Sequence, residues 1–300
     1  MKSEFERLPA KIIKTENRDI YIFDIEGENI DKKVVDEFGE EWLKFFEQDD
    51  DLLKKGGEEY FDVLNDSIIN SKTYVLDIGC GTGRWTKYLA SKVGFIEAVD
   101  PSNAVFAADK LLGKIENVRL SKASIETLPF ADETFDFVMS IGVLHHTPNT
   151  RKALIDCVKK IKKGGYFFVY LYYNLENRGF FYKTLFKLSD LVRRIVSRLP
   201  GKLKHFICDV LAIIFYMPFI LAGRSFKYLG FRNLAKKMPL HGYQNRSFFM
   251  IRNDTLDRFG TRLEQRFSSK QIIEMMEGAG LTDIVISPGI PLYHAVGRKK

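Results

Sequence analysis

Over residues 58–173, short apolar runs alternate with amphipathic stretches of helical period. Strand-like runs fall at residues 73–78, 95–99, 118–120, 135–140 and 165–172, and helical patterns separate them, among them 84–91 and 150–161. The latter runs into Lys162-Lys163-Gly164-Gly165, the basic last turn and glycine stop of a helix C-terminus. Repeated strand, helix, strand units predict a parallel sheet covered by helices on both faces.

Outside that block the pattern is weaker. Residues 21–25 read as a short strand, residues 37–46 carry apolar positions at helical spacing, and the acidic run at 49–51 reads as a solvated turn or cap. Near the other end, Ser268-Ser269-Lys270-Gln271 opens a helix to about Gly278. Two strands follow at 283–287 and 292–296, joined by Pro288-Gly289-Ile290-Pro291. The expected organisation is an N-terminal extension (1–57), a sheet domain (58–177), a helical basic insert (178–250) and a closing segment that completes the sheet domain (251–300).

Apolar residues make up 45% of the 300 and charged residues 28%, which excludes disordered, collagenous and coiled-coil classes. The net charge of +7 changes the picture once it is placed along the chain. Residues 178–240 hold 13 Lys or Arg and 2 acids, a net of +11, while the rest of the chain is at −4. A mildly acidic protein thus carries a strongly basic insert that is also rich in Phe and Tyr. Within it, residues 206–222 are nearly all apolar, but this run of 17 residues is short of the ~20 a spanning helix needs, and Asp209 and Pro218 interrupt it. An apolar helix with basic flanks has the composition of an interfacial anchor on an anionic leaflet. A helical lid with its charges in water, and a nucleic-acid surface, are the other readings of the same composition.

Three cysteines, Cys80, Cys157 and Cys208, form no CxxC pair, so neither a disulfide framework nor a Cys-rich zinc site is expected. Together with a charged N-terminus this points to a cytoplasmic protein, with peripheral membrane contact through 178–240 where the anchor reading holds.

The candidate chemistry lies after the first strand of the block. Gly79-Cys80-Gly81-Thr82-Gly83 is a glycine turn at a strand's carboxyl end, where ligands of open α/β sheets approach the backbone. Its third glycine comes one residue earlier than in GxGxxG, and Asp100 follows at the end of the next strand, placed to accept from both hydroxyls of a ribose.

With its companions this turn resembles the class I S-adenosylmethionine-dependent methyltransferases. Val75-Leu76-Asp77-Ile78-Gly79-Cys80-Gly81-Thr82-Gly83 is similar to that family's first motif, and Ala98-Val99-Asp100-Pro101-Ser102 to its ribose motif. Ala123-Ser124-Ile125-Glu126-Thr127-Leu128-Pro129-Phe130 is similar to the adenine segment, and residues 135–141, followed by Val143-Leu144-His145-His146, to the fourth-strand motif. The resemblance implies an α/β, Rossmann-like doubly wound sheet of mainly parallel strands with an antiparallel C-terminal strand, plus the helical basic insert. It implies S-adenosyl-L-methionine as cofactor, with Asp77 orienting the loop or binding the methionine amino group. Gly79, Cys80, Gly81 and Gly83 would line the methionine, Asp100 would bind ribose, and Ile125 and Ile141 would flank the adenine or the loop beneath it.

Ser124 stands where the family often has an acid; it reads either as a weaker adenine contact or as the cap of a short helix. Cys80 reads as a small buried filler rather than a nucleophile. His146 is the candidate general base, the alternative being that His145 and His146 shape the pocket wall; no metal-ligand spacing surrounds them, so no metal site is expected. In this family, insertions before the last helix commonly recognise substrate. The segment around the closing helix therefore offers His241, Tyr243, Arg246 and His294 as substrate contacts. The expected function is in-line methyl transfer to oxygen, nitrogen or carbon of a small-molecule or lipid-linked metabolite. Alternatives are an RNA or protein methyltransferase using the basic insert, and a non-catalytic cofactor-binding protein that recruits a partner or membrane. Nucleic acid is disfavoured, because the (D/N)PP(Y/F) motif of base N-methylation is absent.

Overall fold

In the computed structural model, which describes residues 3–44, 50–245, 248–289 and 292–300, nine strands form one sheet. They are β1 (Lys11–Lys14), β2 (Asp19–Ile22), β3 (Tyr74–Ile78), β4 (Phe95–Val99), β5 (Val118–Lys122), β6 (Phe135–Ile141), β7 (Ile161–Tyr170), β8 (Leu281–Ile286) and β9 (His294–Lys299). The order is β1-β2-β5-β4-β3-β6-β7-β9-β8. The six strands from β2 to β7 run parallel, whereas β1, β9 and β8 are antiparallel to their neighbours. The α/β class with a mostly parallel sheet is as expected, and so is the reversed C-terminal strand: β9 runs against β7, and β8, antiparallel to β9, returns to the common direction.

The chain divides into two compact units, one of residues 1–176 and 263–300 and the other Asn177–Arg262. In the sheet unit, helices α1 (Lys32–Lys44), α2 (Asp50–Tyr60), α3 (Arg84–Ala90), α4 (Ala104–Leu112) and α5 (Thr150–Lys159) precede the second unit. The second unit holds α6 (Phe180–Val196), α7 (Gly201–Leu211), α8 (Met217–Tyr228), α9 (Arg232–Lys237) and α10 (Phe248–Gly260), after which α11 (Ser269–Gly278) returns to the sheet unit. The boundary expected at 250 falls inside α10, which packs on α6 and α7 and so belongs with the insert.

The central strand shows why the sheet is covered on both faces. Tyr74, Leu76 and Ile78 enter one core with Leu154 of α5 and Met276 of α11, while Val75 enters the other with Leu89 of α3 and Val105 of α4. This is the period-2 alternation of a strand buried on two sides. Ser268 caps α11, accepting from Gln271 N–H while the Gln271 side chain returns to the Ser268 N–H, a capping box that the sequence displays.

Two parts of the sheet differ from expectation. The N-terminal residues are no mere preface: β1 and β2 extend the sheet beyond β5, and a buried network fastens what precedes them. Glu97 and Arg119 lie directly opposite on β4 and β5, joined by two 2.7 Å bonds, and the Tyr74 hydroxyl donates to Glu97 at 2.6 Å. The Arg119 guanidinium also donates to the Ser3 carbonyl at 2.8 Å and lies 3.9 Å from the centre of the Phe5 ring. Gly164 and Gly165, expected to stop a helix, instead lie within β7 beside a register irregularity in its pairing with β6. A Cβ on Gly165 would stand 2.7 Å from the Asp136 carbonyl, so the close backbone approach requires glycine there. The expected turn at 288–291 lies partly outside the described residues, as do Phe45, Phe46 and Asp49 of the N-terminal patterns.

In the second unit, the apolar run expected to be broken by Pro218 belongs to one uninterrupted helix, Gly201–Tyr228, of 28 residues. A π-turn at Ala212–Tyr216 joins α7 to α8, with the Met217 N–H bonded to Ala212 O. The wider turn comes just before the proline, which lacks an N–H and would otherwise crowd the preceding carbonyls. Asp209 does not break the helix either, because Arg252 of α10 binds both its oxygens at 2.6 Å. Arg193 of α6 bonds Asp190 and donates to the carbonyls of Thr261 and Arg262, closing the end of α10.

Candidate functional site at the carboxyl edge of the sheet

The strand order makes a switch point beside β3: the chain runs from β3 outward through β4 and β5, then crosses back to β6 on the other side of β3. Crevices at such points are where open α/β sheets bind ligands. The glycine turn fills this place, with Gly79, Gly81 and Gly83 at φ of +76°, +55° and +80°. Gly79 N–H and Cys80 N–H both bond the Val99 carbonyl, which ties the turn to the end of β4. A Cβ on Gly79 would be 2.3 Å from a methyl of Val143, two residues beyond β6, so the two strand ends close on each other through glycine. At Gly81 the situation is opposite: a Cβ would meet nothing nearer than Trp42 Nε1 at 3.8 Å, leaving that stretch of backbone open.

Two carboxylates lie at the ends of the strands that carry the turn. Asp100 Oδ2 accepts from Gly81 N–H at 2.9 Å, and Oδ1 accepts from the Ser102 N–H at 2.8 Å and the Ser102 hydroxyl at 2.6 Å. These donors fix its direction and leave lone-pair capacity on Oδ2. Asp77, 2% exposed at the end of β3, accepts from the Thr86 hydroxyl at 2.6 Å. Burial pushes its carboxyl up to about 7, with the Thr86 bond opposing and the Asp100 charge adding to the rise. Cys80 is buried beside them, and burial with the two acidic neighbours raises its thiol well above the ordinary range, so it is no nucleophile at neutral pH.

The far wall comes from β6 and the short helical turn Leu144–His146. Ile141 ends β6 with 9% exposure. His146 Nδ1 is 2.6 Å from the Leu263 carbonyl, which can only accept, so Nδ1 carries the proton and Nε2 the lone pair of the neutral ring. His145 is fully buried, stacked on Tyr172 at 3.9 Å between centroids, with neither ring nitrogen hydrogen-bonded. Burial first, then the charges of His146 and Arg266, holds it well below the ordinary histidine range, and so neutral.

Ser124 caps the turn Ile125–Thr127: its hydroxyl donates to the Glu26 carbonyl at 3.0 Å and shares a 2.7 Å bond with the Thr127 hydroxyl. These bonds tie the Ser124 hydroxyl to the N-terminal extension and to the turn. Ile125 packs half-buried against the core. His294 is buried in β9, its Nε2 2.7 Å from Asp62, whose other oxygen accepts from Ser287 at 2.6 Å. These contacts hold two ends of the sheet unit together. His241 and Tyr243 lie on a short turn of the other unit, and Arg246 lies outside the described residues. The substrate candidates are thus spread over two units and do not form one cluster in either.

Sequence reasoning missed α1 as a wall of the site. Its Gly39 lies close to Ser102 and Asn103, its Phe38 ring is 4.9 Å from that of His146, and Trp42 stands over Gly81. The helical spacing of residues 37–46 was legible, but no local signal says which loop such a helix covers.

A sheet with this switch point, a glycine turn open at its middle and paired carboxylates define a class I nucleotide-cofactor domain. Residues 76–169 match the family model described as a methyltransferase domain. This part of the chain is a class I S-adenosylmethionine-dependent methyltransferase domain. Among curated proteins the chain is similar to demethylmenaquinone methyltransferases of several Staphylococcus aureus strains, 33% identical over 107 residues, 34% of this chain and 44% of the relative. The chain therefore spans less than half the length of these relatives. Among solved structures it is similar to a SAM-dependent methyltransferase from Thermotoga maritima, with TM-score 0.48, 16% identity and coverage of 89% of this chain and 99% of that one. Another, from Aquifex aeolicus, gives TM-score 0.43, 16% identity and coverage of 84% and 98%.

The cofactor of this class is S-adenosylmethionine, and the residues present fit it. The opening at Gly81 admits a ligand against the backbone, and the adjacent carboxylates suit a ligand that carries hydroxyls and positive charge.

Proposed function

We propose that the protein transfers a methyl group from S-adenosylmethionine to a small-molecule or lipid-linked acceptor. The observation that carries this reading is the open backbone at Gly81, whose N–H is held by Asp100, with Asp77 buried at the end of the neighbouring strand β3. When bound, the cofactor supplies a methyl group on a positively charged sulfur. The chain's part is to bind and orient. Asp100, fixed by three donors, suits the ribose hydroxyls; Asp77 suits the methionine amino group, whose charge would favour the ionised carboxylate. His146 Nε2 is the nitrogen able to take a proton from an acceptor hydroxyl, while the Nδ1 bond to Leu263 keeps the ring in that tautomer. Holding nucleophile and methyl in line provides much of the rate in such a transfer. Similarity to demethylmenaquinone methyltransferases supports a small-molecule acceptor over RNA or protein.

Calorimetric titration with S-adenosylhomocysteine tests the reading directly. The wild type should bind, and Asp100→Ala should weaken binding by more than tenfold through loss of charge-assisted bonds worth ~1.5–3 kcal/mol. Absence of wild-type binding would sink the proposal. Incubation with cell extract and methyl-labelled cofactor then identifies the acceptor by the fraction that takes up label: small molecules, lipids, RNA or protein.

A further inference from the structure

Apolar exposure is concentrated in one place. Among the described residues, 19 of the 24 large apolar side chains that are exposed lie within Asn177–Arg262. On α6, Leu185, Leu188, Val192 and Ile195 recur every three or four residues on one exposed face. Lys187, Arg194 and Arg198, all exposed, share the neighbouring stripe with Leu191. The opposite side of α6 is buried, through Arg193, Val196 and Ser197. The helix Gly201–Tyr228 repeats the arrangement end to end. Between Lys204 and Arg224 its only formally charged residue is Asp209, already bound by Arg252, while Phe206, Ile214, Phe215 and Leu221 are exposed. Lys202 precedes this stretch, and Arg224 and Lys227 follow it.

We infer that the unit Asn177–Arg262 lies in the plane of an anionic membrane, its exposed apolar side chains in the headgroup and acyl boundary and its cations against the lipid phosphates. Charge selects this occupant. A second copy of a segment at +11 would bring like charges together as it covered the apolar surface. Nucleic acid would satisfy the cations and leave exposed leucine and isoleucine in water. An anionic bilayer accommodates both.

Topology distinguishes lying in the membrane from crossing it. At 28 residues, and about 42 Å at 1.5 Å per residue, the helix is long enough to span. Both ends of the unit, however, lead into one sheet, where β9 after the insert is hydrogen-bonded along β7 before it. Entry and exit on one side require an even number of crossings, and among the described residues no other helix is long and apolar enough. The helix α6 carries Lys183, Lys187, Asp190, Arg193 and Arg194, and α10 has only 13 residues. The in-plane placement is thus the one the connectivity allows, and it stands independently of the methyl-transfer reading.

Flotation of the full chain tests it, using vesicles of phosphatidylcholine alone or mixed equally with phosphatidylglycerol. The chain should float with the anionic vesicles, be released by high salt or alkaline carbonate, and stay down with neutral ones. Lys187→Gln with Arg198→Gln should weaken binding about fivefold for each cation lost. Leu188→Glu with Ile195→Glu should abolish it, and because all four side chains are exposed, the thermal midpoint and circular dichroism should match the wild type. The inference is overturned by failure to float with anionic vesicles, by flotation indifferent to both pairs of substitutions, or by resistance to carbonate, which means a spanning helix. A stable dimer dispersed by Leu188→Glu with Ile195→Glu, without flotation, overturns it in favour of a second copy.

Discussion

The two units of this chain bury apolar surface to different extents. The sheet unit buries whole strands, with a core on each face, and in its interior Glu97 and Arg119 neutralise each other as a buried ion pair. Among its described residues the helical unit buries a handful of apolar side chains, among them Val196, Cys208, Ile220, Ile251, Leu256 and Phe259, while rows of leucine, isoleucine and phenylalanine remain exposed. Soluble domains do not ordinarily leave such surface uncovered. The difference shows that the average composition describes neither unit: one is organised around its own interior, the other around what it touches.

The comparison breaks most readily at the buried ion pair. Arg119→Met leaves Glu97 as an uncompensated charge in the sheet interior, and should cost ~3–5 kcal/mol of unfolding free energy, measured by denaturant titration. The double variant Arg119→Met with Glu97→Met should recover most of that loss, because no buried charge then lacks a partner. If the single variant is as stable as the wild type, the interior of the sheet unit is wetter than its burial shows.

A smaller effect is expected at the cofactor turn. Gly79→Ala places a Cβ at a φ of +76° and against Val143, and should lose ~1–3 kcal/mol of stability together with affinity for S-adenosylhomocysteine. Adding Val143→Ala should restore part of the loss, the steric part, and leave the dihedral part. Complete restoration would mean that the left-handed backbone contributes nothing.

Much of this was legible because it is local. Strand periodicity, the glycine turn, Asp77 and Asp100, and the capping box at Ser268 are all written within a few neighbouring residues. What was not legible depends on partners distant in sequence. Pro218 and Asp209 read as helix breakers until the π-turn and Arg252 are seen to accommodate them. Gly164 and Gly165 read as a helix stop because what requires glycine at 165, a close approach to the Asp136 carbonyl, belongs to another strand. The hydroxyl of Ser124 is engaged by Glu26, and α1 covers the glycine turn, both through contacts that no spacing rule announces.

The pH dependence of cofactor binding sharpens the picture of the site. Asp77 is raised to about 7 by burial, against an ordinary value of ~3.9. Below pH 7 it is therefore protonated in the ligand-free protein and must lose that proton to meet an ammonium group. Affinity for S-adenosylhomocysteine should fall as pH drops below 7, by up to about tenfold per unit, and reach a plateau above it. Asp77→Asn should flatten the profile. An unchanged profile in that variant would assign the dependence to another group.

The smallest effect is expected in the helical unit, and it returns to the comparison. Asp209 and Arg252 make two bonds of 2.6 Å, shorter than those between Glu97 and Arg119, yet their side chains are 34% and 35% exposed. Bond length alone would rank this pair above the one in the sheet. Solvent access reverses the ranking: water screens the pair and can solvate either partner if the other is removed. Asp209→Asn should therefore cost about 1 kcal/mol or less in aqueous buffer, well below Arg119→Met. The same variant measured with anionic vesicles present should lose more, since lipid around Phe206 and Ile213 would exclude the water that replaces the carboxylate. Equal losses in buffer for the two variants would mean that the helical unit has a dry interior of its own, and the contrast between the units would have to be abandoned.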